Sequence, residues 1–259
     1  MASSRPAEIV FLRHAESQAN LNELKIERGL LERYPQALLS VRDADIELTE
    51  RGVAQARATG RYLAEHFGPF DYCYVSPWTR TRQTFTHVLD AYQGEQQETM
   101  RRYTRFEERL REREMGLLNW LTREEIAERY PDEARRREID GMYFYRPNGG
   151  ESWADVSLRL DAVLTSIYRD RPGCRLLVVA HAVVVLCFRK LLQRLDETEI
   201  LRINRVDGPH NCSINRFTYD PHAGEEGKLV LREWNRVSYG PELASVVPDP
   251  QQRQPRPGE

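Results

Sequence analysis

No stretch of this 259-residue chain is apolar for long enough to cross a membrane, and Met1 to Glu8 hold no apolar signal core. The two absences set one expectation, a cytoplasmic protein without a membrane partner. An excess of charge is missing too. Lys and Arg number 38 and Asp and Glu 40, a net charge of −2, so bulk charge gives no support to a nucleic-acid or membrane-surface partner. Affinity for an anion has to come from a local cluster of cations. The four cysteines, Cys73, Cys174, Cys187 and Cys212, lie far apart and form no CxxC pair. Without a signal peptide the expectation is buried free thiols rather than disulfides. There is no internal repeat.

What is present reads as an α/β protein. Apolar residues make up 40% and charged residues 30%, ordinary for a soluble globular chain, and the length suffices for a substantial core. Residues 8–12 (EIVFL) and 71–75 are short β-rich runs, and 175–180 (RLLVVA) has the unbroken apolar character of a strand covered on both faces. Helical patterns occupy 49–67, with Thr49 as N-cap, 152–168 and 182–193. A further helix is expected to open at Ser76-Pro77, with proline in its first turn, and to run to about residue 92. Segment 101–110 reads as extended, 124–137 as a charged helix broken at Pro131, and 147–150 as a loop. Two late strands are expected at 211–219 and 228–235.

Strands alternating with helices predict a three-layer α/β sandwich, a mainly parallel sheet with helices on both faces. The charged excursions 21–46 and 104–150 are expected to form a cap over the strand ends, within a single domain spanning 1–238. Residues 239–259, with five prolines, read as a disordered or loosely attached tail.

In an open α/β sheet, ligands bind beyond the carboxyl ends of the strands. Two strands end alike here, one at Arg13-His14-Ala15 and one at Ala180-His181-Ala182. If they are neighbours, both imidazoles enter one crevice. Ser76 to Thr84 (SPWTRTRQT) adds a third strand exit, with a helix N-terminus and guanidinium groups that suit an anion. Phosphoryl transfer needs an in-line nucleophile, cations for the equatorial oxygens and an acid for the leaving oxygen. A neutral imidazole can attack without a separate base, and Arg13, Arg80 and a protonated His181 are suited to hold the oxygens. The remaining histidines lie within helical patterns (His66, His87) or loops (His210, His222), and the Arg-rich runs 109–113 and 135–137 read as solvated faces.

These residues sit in a pattern that resembles the histidine phosphatase superfamily, the phosphoglycerate mutase-like group. Leu12-Arg13-His14-Ala15-Glu16-Ser17, followed by Asn20, is similar to its L-R-H-G-E-[ST]-x-x-N signature. Leu48 to Gly52 resembles the L-T-x-x-G helix start, and Ser76 to Thr84 the S-P-x-x-R-[TA]-x-Q-T segment. Leu110 to Gly116 is similar to the L-x-E-x-x-x-G segment that carries the acid. Gly150-Glu151-Ser152 with Asp155 and Arg159, Val178 to His181, and Asn211-Cys212-Ser213 follow in the family's order, so the matches run from about Ile9 to Phe217. The resemblance implies a phosphohistidine at His14, a phosphate pocket of Arg13, Arg80, His181 and Asn20, a catalytic part for His181, Glu112 as proton donor, and no metal or cofactor. Glu114 is a rival acid whose spacing to Gly116 departs from the pattern. Ala15 and Ala182 replace the glycine that usually follows each histidine, and Leu117 to Trp120 replace the usual small and aromatic residues.

Within such a family the choice lies between phosphatase and mutase. The mutase-type insert after the first motif and a C-terminal T-G-I-P-like segment are not found, so hydrolysis of a small-molecule phosphate ester is expected. The alternatives are a phosphoglycerate mutase-type phosphotransferase and a catalytically silent binding or scaffold protein. Retention of Arg13, His14, Arg80, Glu112 and His181 together weighs against the scaffold. Tyr143, Phe144, Tyr145, Trp120 and Trp153 either stack on a leaving group or make the cap's own core. Arg33, Arg42 and Arg146 either read an acidic substrate or are solvated. A homo-oligomer is compatible with the sequence.

Overall fold

The computed structural model describes residues 5–245. Its centre is the parallel pairing of Glu8–Arg13 with Arg175–Ala180, in a register that sets Ile9 opposite Leu176 and Leu12 opposite Val179. Successive side chains of a strand point to opposite faces, so a continuous apolar run feeds two cores. Ile9, Phe11, Leu176 and Val178 enter one, and Val10, Leu12, Leu177 and Val179 the other.

In chain order the elements are β1 (Glu8–Arg13), α1 (Gln18–Glu27), α2 (Gln36–Leu39), α3 (Glu50–His66), β2 (Tyr72–Val75), α4 (Thr79–Leu89), α5 (Gly94–Arg102) and β3 (Thr104–Phe106). There follow α6 (Arg123–Arg129), α7 (Pro131–Phe144), α8 (Trp153–Asp170), β4 (Arg175–Ala180), α9 (Ala182–Gln193), α10 (Glu197–Asp207), β5 (Ile214–Asp220) and β6 (Lys228–Arg236). The sheet order is β3-β2-β4-β1-β5-β6, parallel across the first four strands and antiparallel at β5 and β6. One face packs on α8, α9 and α10 through Trp153, Leu160, Phe188 and Ile200. The other packs on α3, α4 and α5 through Leu63, Phe85, Val88 and Met100. The α/β sandwich read from the sequence is the fold observed.

Several local expectations change. Ser76 is not in a helix, because its amide donates to the Val179 carbonyl at 3.0 Å and so prolongs the pairing of β2 with β4. Pro77 therefore sits in the connection, and α4 begins at Thr79 behind Trp78 and ends at Leu89. Segment 101–110 is extended only at β3, which is the edge of the sheet, so the second insertion begins after Phe106 rather than at 104. Pro131 does separate α6 from α7, whose helix then runs on to Phe144.

The tail expectation fails for residues 239–245. The Tyr239 hydroxyl donates to the Asn211 carbonyl and the Gln55 amide to the Leu243 carbonyl, each at 2.8 Å. Tyr239 lies against the small cluster of Ala15, Leu48, Ala56 and Cys212, a contact that proline-rich composition conceals. The rest of the expected tail, 246–259, is outside the described residues.

The second insertion carries its own core of Leu118, Ile126 and Tyr145, and meets the first through an edge contact of Tyr34 with Trp120, centroids 5.2 Å apart. Tyr143 and Trp153 belong to the main core and Phe144 is exposed. Core packing therefore claims Tyr143, Tyr145 and Trp153. All four cysteines are free thiols, Cys174 being only half-buried. Among the described residues no helix is long and apolar enough to cross a membrane.

Candidate active site

The loop after β1 is built by its neighbours. Thr49 caps α3 by accepting from the Gly52 amide at 3.0 Å, and its hydroxyl donates to the Glu16 carboxylate at 2.7 Å. A Cβ at position 52 would collide with the Glu16 carbonyl, so only glycine lets α3 start this close to the loop. His14 continues the ladder, its amide donating to the Ala180 carbonyl at 2.9 Å, while the Asn211 side chain donates to the His14 carbonyl at 3.1 Å.

The imidazole of His14 is buried, with Nδ1 at 2.7 Å from the Ala15 carbonyl. A carbonyl can only accept, so Nδ1 carries the proton and Nε2 keeps its lone pair. His181, at the exit of β4, has its ring centroid 5.1 Å from that of His14. The Ser76 hydroxyl, at the exit of β2, lies 2.8 Å from His181 Nε2. Three strand exits thus converge on one crevice, as their sequence positions suggest.

Ala15 and Ala182 cost no backbone strain. Among the described residues the non-glycine positions with positive φ are Trp120, Arg194, Cys212 and Asn235, so neither alanine occupies a conformation that calls for glycine. Ala15 is fully buried with its amide on Thr84 Oγ1 at 3.0 Å, and Ala182 is the first residue of α9.

Arg80 is buried with its guanidinium 4.4 Å above the Trp78 ring. One end of the fork is already engaged: Nη1 donates to the Asp43 carbonyl at 2.7 Å and to its carboxylate at 2.9 Å. Arg13 donates from Nη1 to the Pro209 carbonyl at 2.7 Å. Burial, and after it the charge of Arg80, holds both imidazoles well below the usual histidine range, with Arg13 acting the same way on each. Both rings are therefore neutral at neutral pH. The expectation of a protonated His181 is corrected, because burial and the guanidiniums of Arg80, Arg159 and Arg13 all oppose a charge there. A phosphate dianion is the charge that would favour a proton there.

Glu112 lies on the loop between β3 and α6, its carboxylate accepting from the Arg113 amide at 2.8 Å. Burial raises its carboxyl above the usual range despite that bond and the pull of Arg80, Arg13 and Arg159. Glu114 is also raised, by burial and then by Asp43, but Arg111 and Glu151 are its other neighbours. Only Glu112 shares the field of both Arg13 and Arg80. Its loop is anchored from α8: Arg159 donates to the Arg109 carbonyl at 2.6 Å and to the Glu112 carbonyl at 3.3 Å, and Glu151 joins Arg159 at 2.9 Å to Arg111 at 2.8 Å.

Asn20 is brought to the same loop in a capping role. Its Oδ1 accepts from the Ser17 amide at 3.3 Å and from Asn211 Nδ2 at 3.1 Å, which leaves its own Nδ2 to donate to an anion. Sequence reasoning gave no part to Asp43, Ser76, Thr84, Gln55 or Asn211. Ser76, Thr84 and Asn211 lie inside matched motifs but carry no charge to draw notice, and Asp43 has no sequence signal at all. The arginines read as possible contacts to an acidic substrate lie elsewhere: Arg42 pairs with Asp45 on the exposed surface, Arg146 pairs with Asp155, and Arg33 is exposed. Among the described residues no group of three or more His, Cys, Asp or Glu side chains is placed to hold a metal ion.

The model of the histidine phosphatase superfamily, branch 1, matches residues 9–235. The chain belongs to that superfamily. A 2,3-bisphosphoglycerate-dependent phosphoglycerate mutase of Methylobacterium radiotolerans is 33% identical over 197 residues, which cover 74% of this chain and 82% of the mutase. A phosphoglycerate mutase-like protein of Arabidopsis thaliana is 28% identical, with 86% and 81% covered. Among solved structures, a mycobacterial glucosyl-3-phosphoglycerate phosphatase in complex with inorganic phosphate superposes with a TM-score of 0.62 at 22% identity, covering 90% of this chain and 98% of that one. That likeness is one of fold. The superfamily holds phosphatases and mutases, so phosphoryl transfer is the shared chemistry.

Proposed function

We propose that this superfamily member is a phosphatase that hydrolyses the phosphate monoester of a small molecule through a phosphohistidine at His14. The observation that carries the reading is the fixed tautomer of His14: a buried, neutral ring whose Nδ1 is tied to the Ala15 carbonyl presents a free lone pair on Nε2. In the first step Nε2 bonds to phosphorus and the ester P–O bond breaks. Glu112, whose carboxyl burial raises above its usual range, gives its proton to the departing oxygen. Arg13, Arg80 and His181 hold the equatorial oxygens, with Asn20 Nδ2 as a further donor. In the second step a water loses its proton to Glu112 and attacks phosphorus, which restores neutral His14 and releases phosphate.

The choice of water over a second acceptor rests on the charge around Arg80. A mutase must hold a ligand that carries further anionic groups. Here Asp43 occupies one end of the Arg80 fork, and the Asp43 charge reaches both Glu23 and Glu114, whose carboxyls burial raises first. A ligand carboxylate about 6 Å from Asp43 would be opposed by about 3 kcal/mol at an effective dielectric near 20, on the order of a 10²-fold penalty. The relatives named as mutases favour the transfer reading, so the test compares the two. Phosphate monoesters of uncharged alcohols are expected to release inorganic phosphate far faster than 3-phosphoglycerate, with no phosphate passed between positions of phosphoglycerate when a bisphosphoglycerate primer is supplied. Asp43→Asn should narrow that preference. Phosphoglycerate interconversion outpacing phosphate release would establish the mutase reading instead.

A further inference from the structure

We infer that the segment Tyr239 to Ser245 is a positioning strap for the nucleophile loop, acting on His14 through Gln55 of α3 and through Asn211 without touching substrate. This rests on His14 being the nucleophile. Two chains of hydrogen bonds run from the strap to the loop, and they reach it on both sides of Ala15. On one side Tyr239 donates to the Asn211 carbonyl at 2.8 Å, and Asn211 Nδ2 donates to the His14 carbonyl at 3.1 Å. On the other, the Glu16 amide donates to Gln55 Oε1 at 2.9 Å, while Gln55 Nε2 donates to the Leu243 carbonyl at 2.8 Å and to Ser245 Oγ at 3.3 Å.

Gln55 joins the strap to the loop. It is fully buried in α3, and a carboxamide can present either its oxygen or its NH₂ to a neighbour. The Glu16 amide needs an acceptor. With carbonyl and hydroxyl oxygens from the strap on its far side, Gln55 must direct Nε2 to the strap and Oε1 to the loop. Arg51 adds a second tie, donating to the Ala244 carbonyl at 3.2 Å while lying 3.5 Å from the Glu16 carboxylate. The Ala15 carbonyl, the group that fixes the His14 tautomer, belongs to the peptide bond that the Glu16 amide completes. Holding that amide therefore orients the acceptor of His14 Nδ1–H. Tyr239 also packs against the small cluster to which Ala15 belongs, so the strap and the loop share one apolar seat.

The strap thus converts the carboxyl-terminal end of the described chain into part of the support of the site. Two variants of the full protein test it, Tyr239→Phe and a chain ending after Ser238, each read in two ways. Single-turnover phosphorylation by nitrophenyl phosphate is expected to slow by roughly 10–100-fold in the shortened chain, as misplacement of a reacting group by about 1 Å does. In Tyr239→Phe it should slow severalfold. Inhibition by inorganic phosphate should stay within about twofold of the parent in both, since Arg13, Arg80 and His181 are untouched. Imidazole ¹⁵N shifts supply the second reading: His14 should be wholly the Nδ1–H tautomer in the parent and a mixture in the shortened chain. A folded shortened chain with the parent's phosphorylation rate and tautomer would overturn the strap. If the shortened chain does not fold, an unchanged rate and tautomer in Tyr239→Phe would overturn it. Should the parent never phosphorylate His14, the functional reading falls, while the tautomer comparison still decides the strap.

Discussion

His14→Ala is expected to abolish turnover of every phosphate monoester, with a loss on the order of 10⁶ in kcat, the scale seen when an enzyme is deprived of its nucleophile. The variant keeps Arg13, Arg80 and His181, so it should still bind inorganic phosphate. Alanine offers no lone pair in place of the lost Nε2, so no phosphohistidine can form. The checks are a phosphate-release assay, a phosphate-binding titration and a thermal melt. Residual activity within a factor of about ten of the parent would remove His14 from the chemistry, since such a loss is far below what a covalent route supplies.

Glu112→Gln should give the next largest effect, and a selective one. A general acid contributes about 10²–10⁴-fold, and it matters most for an alkoxide, which needs a proton as the bond to phosphorus breaks. Alkyl phosphates should therefore lose on the order of 10³ in rate, while a nitrophenyl ester, whose oxide leaves nearly unaided, should lose far less. The same substitution should change the pH profile. Burial raises the Glu112 carboxyl above 4.5 and lowers the His14 imidazole below 6.5. The active form needs Glu112 protonated and His14 neutral, so alkyl ester hydrolysis should fall as pH rises through the raised carboxyl value. It should fall again as pH drops through the lowered imidazole value. Glu112→Gln should erase the upper limb alone. Equal impairment of both ester classes would make Glu112 a binding or structural residue. The leaving-group dependence appearing in Glu114→Gln instead would move the acid there.

The parts of this site legible in the sequence are those where a strong side chain sits at a strand exit. His14 and His181 follow apolar runs that can only be buried strands, and once β1 and β4 pair their imidazoles must meet. Arg13 and Arg80 also stand at strand exits, Glu112 is legible only through the family resemblance, and the structure places the two guanidiniums in the field of both rings. What escaped depends on chain folding rather than on local pattern. Asp43 reaches Arg80 from a different segment, and a charged residue in a charged excursion carries no mark of its partner. The strap was hidden by proline-rich composition, although Tyr239 has an apolar seat waiting for it. Helix α10 was missed despite Asp196 capping the Glu199 amide at 2.8 Å, because its polar residues mask a narrow apolar stripe of Ile200 and Ile203. Charge state was the least legible property, since a sequence shows which histidines exist but not how far burial drives off their protons.

The central claim is the covalent intermediate, and the most direct measurement is to trap it. Protein mixed with a ³²P-labelled monoester and quenched in alkali during turnover should carry label that survives base and is lost in acid, as a phosphoramidate requires. Peptide mapping should place that label on His14, and His14→Ala should carry none. Label on a serine, aspartate or cysteine, or turnover with no trapped phosphate on His14, would contradict the account.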